Sequence, residues 1–220
     1  MDVLRIIRAT FQLTLDALFA PDLPLTYRWR LVPLNMVINL TIAMKYLPWI
    51  FSRAYTIHMI PIRTGQKLRC IVFQPPRSPT NPDKLRPLHL SIHGGAFLGG
   101  IAEFNAEWAS QVSQKTGAVV VCSTYRGAPR YTYPCAHSDT DDVVQYLLQN
   151  AERLWQANPQ LLTISGLSAG GNLAMATAQQ DDTRPGSEMS IKASVTFYAP
   201  VGLHCAYKLK INDKSDMLMY

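Results

Sequence analysis

Absences narrow this chain before any motif does. Its four cysteines, Cys70, Cys122, Cys135 and Cys205, show no C-x-x-C spacing and no metal-ligand grouping. That removes zinc-ribbon and dithiol redox chemistry, and no metal site is expected. Cys70 and Cys122 fall in apolar runs, where a cysteine acts as a small hydrophobe. Reduced thiols in a cytoplasmic setting suit this pattern, with a single bridge in a secreted form as the alternative. The net charge of +6 and pI near 9.2 come without any basic run, because the lysines and arginines are scattered. A bland basic surface is therefore expected, and no nucleic-acid partner. The apolar stretch Leu31 to Met44 stops at Lys45, short of the roughly 20 residues that a membrane span needs. The first residues lack a signal peptide's pattern too, since Arg5, Arg8 and Asp16 interrupt them. What remains is 220 residues at 48% hydrophobic content, enough for one domain with a sizeable core.

The most informative stretch that is present is Gly166-Leu167-Ser168-Ala169-Gly170. Leu161, Leu162 and Ile164 before it suit a buried strand, and Asn172-Leu173-Ala174-Met175-Ala176 after it suits a helix. G-x-S-x-G between a strand and a helix is the sharp turn that exposes a nucleophilic serine, here Ser168. The flanking glycines matter because side chains there would clash with so tight a turn. A second motif, His93-Gly94-Gly95-Ala96, follows the apolar segment Leu88-His89-Leu90-Ser91-Ile92. Glycine-rich backbone after a strand can aim its amides at one point, as an oxyanion hole must. Gly94, Gly95 and Ala169, the residue after the serine, are the expected donors.

A third segment, Tyr125-Arg126-Gly127-Ala128-Pro129-Arg130 through Pro134 to Asp139, completes the set. With these motifs the chain resembles the hormone-sensitive-lipase-like (alpha/beta hydrolase fold-3) branch of the α/β-hydrolases over roughly residues 55 to 215. The third segment is similar to the family's Y-R-x-A-P-E…P-P…D, with Arg130 where an acid is usual. Leu167 likewise replaces the common acid before the serine. The resemblance implies an α/β fold, a mostly parallel sheet with helices on both faces, and a serine carboxylesterase or lipase-type activity on small or lipophilic esters. It implies no cofactor. It gives His93 the role of shaping the oxyanion loop rather than of taking protons.

The same resemblance places the triad's acid and base well beyond the serine, in the order Ser, Asp, His. The sequence ends at Tyr220 and shows no further strand–helix unit after the sixth strand. The expectation is a C-terminally truncated hydrolase core lacking the last strands. His204, Asp213 and Asp216 follow the sixth strand, and would form a triad only in the order Ser, His, Asp, which unrelated folds do not forbid. The alternative is a catalytically inactive homologue acting as an interaction protein or a non-functional fragment. Val195, Phe197 and Tyr198 would then lie on an open apolar edge, favouring a homo-oligomer.

Residues 1–54 read as a helical, cap-like segment and residues 55–220 as the core. Leu4, Ile7, Phe11, Leu15 and Leu18 follow helical spacing, opposite Arg5, Arg8, Gln12 and Asp16. A cap over the active site is the preferred reading. Peripheral membrane contact through Arg5, Arg8, Arg28 and Arg30 is the other. Further along, strands are expected at 55–62, 67–73, 88–92, 118–123 and 193–198, and helices from Glu103 to Lys115 and from Ser138 onward. Asp139, Asp141 and Asp142 are expected in the first turn of that last helix, complementing its dipole.

Overall fold

The computed structural model describes residues 15, 18, 19, 24–76, 84–182 and 190–201. Residues 3–14 of the expected first helix, together with His204, Cys205, Asp213 and Asp216, lie outside this set. Six strands form one sheet in the order β1-β2-β4-β3-β5-β6. They are β1 (Thr56–Pro61), β2 (Lys67–Phe73), β3 (Arg86–Ile92), β4 (Val119–Ser123), β5 (Ala157–Leu167) and β6 (Ile191–Phe197). β1 and β2 form a hairpin, and β2 runs antiparallel to β4. From β4 through β3 and β5 to β6 every pairing is parallel. The hairpin turns at Gly65, whose φ of 79° suits a residue without Cβ and whose N–H donates to Ile62 O at 2.8 Å.

The helices are α1 (Leu25–Ile50), α2 (Ala106–Thr116), α3 (Cys135–Trp155) and α4 (Ala169–Asp182). Strand alternation sends neighbouring residues to opposite faces of the sheet. Cys70, Val72, Leu88, Leu90, Ile92, Val119 and Val121 pack with α3 and α4 through Val143, Leu147, Ala151, Leu173 and Ala174. Ile71, Phe73, Val120 and Cys122 face the other way, against Ala102, Ala106 and Ala109 at the start of α2. All five residues of β4 are buried, which explains its apolar run from Val119 to Cys122. Helices thus cover both faces, as the motifs implied.

Boundaries differ from the sequence expectations where side chains take over from pattern. Gly117 closes α2 in the left-handed conformation, φ 74°, as a C-terminal glycine should. Glu103, expected in that helix, instead lies in a 3-10 turn, Ala102–Asn105, that precedes it. α3 begins at Cys135 rather than at Ser138, so the three aspartates sit beyond its first turn. Asp139 is fully buried and forms a fork with Arg126 at 2.7 Å, and Asp142 pairs with Arg63 at 2.8 Å. Their role is ion pairing across elements, not dipole complementation. Leu31 to Met44 lies inside α1, which runs on through Pro33 and Pro48. Cys70 and Cys122 are buried, free thiols in β2 and β4.

Candidate active site

The end of β5 and the start of α4 meet at Ser168, a half-buried residue with φ 51°. A non-glycine residue in that region stores strain, on the order of 1–3 kcal/mol, unless its surroundings hold it there. They do so with two backbone bonds. The Ser168 N–H donates to Phe197 O of β6 at 2.9 Å, and Ser168 O accepts from the Asn172 N–H at 3.1 Å. The flanking glycines are sterically required. A Cβ on Gly166 would run into the backbone of Gly170 and Gly171, and one on Gly170 would enter the carbonyls of Ile92 and His93.

β3 delivers the second loop to the same place. A Cβ on Gly94 would sit 3.0 Å from Leu167 O and 3.4 Å from the Ser168 Cβ, so the Gly94 backbone lies directly against the serine turn. Among the described residues, the amides of Gly94, Gly95 and Ala169 have no hydrogen-bond acceptor. Ala96 and Phe97 continue the loop with φ of 54° and 60°, two successive left-handed residues. The Leu98 N–H closes the turn onto Gly95 O at 2.9 Å, and the Ala128 N–H ties it to the next segment through Phe97 O at 2.8 Å.

His93 sits beneath this loop as a buried, neutral ring. Burial pulls its pKa down to about 4, so it carries no charge near neutrality. Its Nδ1–H donates to Gly94 O at 2.5 Å. The ring stacks on Tyr125 at 4.5 Å and takes the edge of Phe104 at 5.8 Å. Gly100 leaves it room, because a Cβ there would strike the imidazole. The opposite nitrogen, Nε2, is buried without a partner. The ring's contacts fix loop shape and offer no route to the serine.

Sequence reasoning missed the polar support below the loop. Glu103, wholly buried, accepts from both guanidinium nitrogens of Arg69 at 2.6 and 3.0 Å and from the Tyr55 hydroxyl at 3.0 Å. Burial, reinforced by the Glu103 charge, pushes the Tyr55 hydroxyl pKa far up. An isolated glutamate in a mainly apolar run gives no sign of this, since its partners lie far away in sequence. Asn105 Nδ2 donates to Ser91 Oγ at 2.8 Å, fastening the same segment to β3.

The described histidines are all engaged away from Ser168. His58 meets the Tyr146 hydroxyl at 2.8 Å. His89 in β3 bridges Thr163 Oγ1 at 2.7 Å and Ser165 Oγ at 2.9 Å, and burial lowers its pKa to about 4. His137, near the start of α3, stacks against Phe97 at 6.3 Å and takes the edge of Tyr133 at 5.2 Å, its pKa held down by burial. Among the described residues, none reaches Ser168 Oγ in a hydrogen bond. No group of three or more metal-ligating side chains occurs among them either.

A family model described as "alpha/beta hydrolase fold" matches residues 89–217, which takes in all three motifs. The chain belongs to this family. It is the hormone-sensitive-lipase-like group to which the HGGA and GLSAG stretches pointed. The chain is 33% identical over 110 residues to an arylacetamide deacetylase of Oryctolagus cuniculus, covering 49% of this chain and 28% of that protein. It is 30% identical over 118 residues to an ethyl acetate hydrolase of Pseudomonas putida, covering 54% and 36%. The solved structure of the carboxylesterase EstE1 superposes with a TM-score of 0.64 at 26% identity, covering 74% of this chain and 54% of EstE1. The matched stretch thus spans well under two thirds of these relatives. They place the chain among esterase- and lipase-type α/β-hydrolases.

Proposed function

We propose that the chain carries the acyl-transfer half of a serine carboxylesterase acting on small or lipophilic esters. The Ser168 Oγ attacks the ester carbonyl carbon and the carbonyl electrons move onto oxygen. The amides of Gly94, Gly95 and Ala169 hold that oxyanion while a base carries the serine proton to the leaving oxygen, so that collapse releases the alcohol and leaves an acyl-serine that water cleaves to the acid. The observation that carries the reading is the packing of Gly94 on the serine turn, in a loop whose Gly94 and Gly95 amides, like that of Ala169, have no acceptor among the described residues. Donors fixed in advance are worth most where charge develops, at about 3 kcal/mol each. The relatives' names, an arylacetamide deacetylase and an ethyl acetate hydrolase, denote removal of an acetyl group from an amide and from an ester, and support a small, uncharged acyl substrate. No cofactor takes part in these steps.

Among the described residues no histidine bonds the Ser168 Oγ. His204 is the chain's one histidine outside the described residues. The engagement of the other four elsewhere favours a second reading, an inactive homologue that keeps the fold. Hydrolysis of p-nitrophenyl acetate by the purified chain, beside Ser168→Ala and His204→Ala, separates the two. Saturable turnover that falls by up to about 10⁶-fold in Ser168→Ala is the expected result. Equal rates in wild type and Ser168→Ala would establish the inactive homologue instead.

A further inference from the structure

The outward face of α1 is apolar where a soluble helix would be polar. Leu25, Trp29 and Val37 are 77%, 73% and 63% exposed, and Pro33 between them is exposed as well. These four positions are spaced by four residues, so they form one ridge along the helix. Phe51, just past its end, is 64% exposed. The C-terminal end of the helix is the part used for folding. Tyr46 packs on Phe104 at 4.7 Å, Trp49 meets Phe73 at 6.0 Å, and Ile50 joins the cluster around Ile101. The ridge is therefore surplus to the core.

Charge along the helix has one sign. From residue 23 to residue 82 the chain contains no aspartate or glutamate, while α1 and the turn after it carry Arg28, Arg30, Lys45 and Arg53. Arg30 and Arg53 are exposed, and Arg30 lies 6.0 Å over the Tyr27 ring. No described helix is long and apolar enough to cross a membrane. An exposed apolar ridge that carries a tryptophan and is flanked by arginines matches the chemistry of a lipid interface, acyl chains beneath headgroups.

We propose that α1 docks this protein on an anionic lipid surface through Leu25, Trp29 and Val37, with Arg30 and Arg53 at the phosphate level. The proposal does not depend on Ser168 chemistry.

Sedimentation of the full chain with phosphatidylcholine vesicles containing about 30% phosphatidylserine tests it, with pure phosphatidylcholine vesicles as the control. The wild type and Ser168→Ala should both partition onto the anionic vesicles, and Trp29 emission should shift to the blue. Leu25→Ser/Trp29→Ser/Val37→Ser should weaken partition by about a hundredfold. Arg30→Glu/Arg53→Glu should weaken it by at least about tenfold, as should raising salt to about 0.5 M. The substituted side chains project from the fold, so far-UV circular dichroism should match the wild type in each variant. No partition of the wild type, or equal partition of the triple variant, would overturn the proposal. So would a dimer abolished by the same substitutions with no vesicle binding, which would assign the ridge to a second copy.

Discussion

β4 and β6 each pair in parallel with a neighbour in one sheet, yet they live in different surroundings. Every residue of β4 is buried between helices and neighbours. In β6 only Ile191 is buried, and Val195 and Phe197 are 48% and 41% exposed. β6 is the outermost strand among the described residues on its side of the sheet. The candidate site spans this gradient. Gly94 comes from β3 in the well-packed centre, while Ser168 owes its backbone bond to Phe197 O at the edge. Its strained φ is held rigidly on one side and by a thinly packed strand on the other.

The largest effect should follow a substitution at the packed junction. Gly170→Val would drive side-chain atoms into the carbonyls of Ile92 and His93. Overpacking against backbone has no soft way out, so a loss of several kcal/mol, enough to unfold a marginal domain, is expected in urea denaturation. Wild-type stability in that variant would show that the serine turn can shift off β3.

A pair of truncations then contrasts centre with edge. Leu90→Ala, at a wholly buried position, should cost about 2–5 kcal/mol. Val195→Ala should stay below about 1 kcal/mol, since half of that side chain already meets water. Similar costs for both would mean that β6 is covered in solution, by a second copy or by another part of the chain.

The smaller effect is on pH dependence. His89 and His93 lie on β3 and the loop it feeds, and burial lowers both pKa values to about 4. The unfolded chain binds protons at its histidines from about pH 6.5 downward, while the folded chain does not until about pH 4. Stability is thus fully present above pH 6.5 and falls as pH drops toward 4, by on the order of 3 kcal/mol per histidine. His89→Gln, which can keep bonds to Thr163 and Ser165, should remove about half of that slope. An unchanged slope would show that other groups set the acid sensitivity.

Most of the fold could be read from the sequence because its signals are local. Valine-rich β4, the glycine stop at Gly117 and the strand–glycine–helix turn at Ser168 each fall within a few residues. His89 lies in β3, as its apolar neighbours Leu88 and Leu90 predict. The site was legible where backbone geometry demands glycine, at Gly94, Gly166 and Gly170. It was not legible where distant partners meet. The Tyr55–Arg69–Glu103 network joins three segments, and the Arg126–Asp139 fork sets Asp139 apart from helix-end chemistry. Nor does sequence alone show that Tyr46, Trp49 and Ile50 take the inner face of α1 and leave Trp29 outside. Helical period fixes which residues share a face, but only packing decides which face turns inward.

The central claim is that Ser168 is poised as a nucleophile beside preformed oxyanion donors. Intact-mass spectrometry after incubation with a p-nitrophenyl alkylphosphonate tests it most directly, because phosphonylation traps the attacking oxygen in an adduct that mimics the tetrahedral intermediate. The account predicts one stoichiometric adduct, mapped to the peptide containing Ser168 and absent from Ser168→Ala. An unmodified protein, or the same adduct in both, would contradict it.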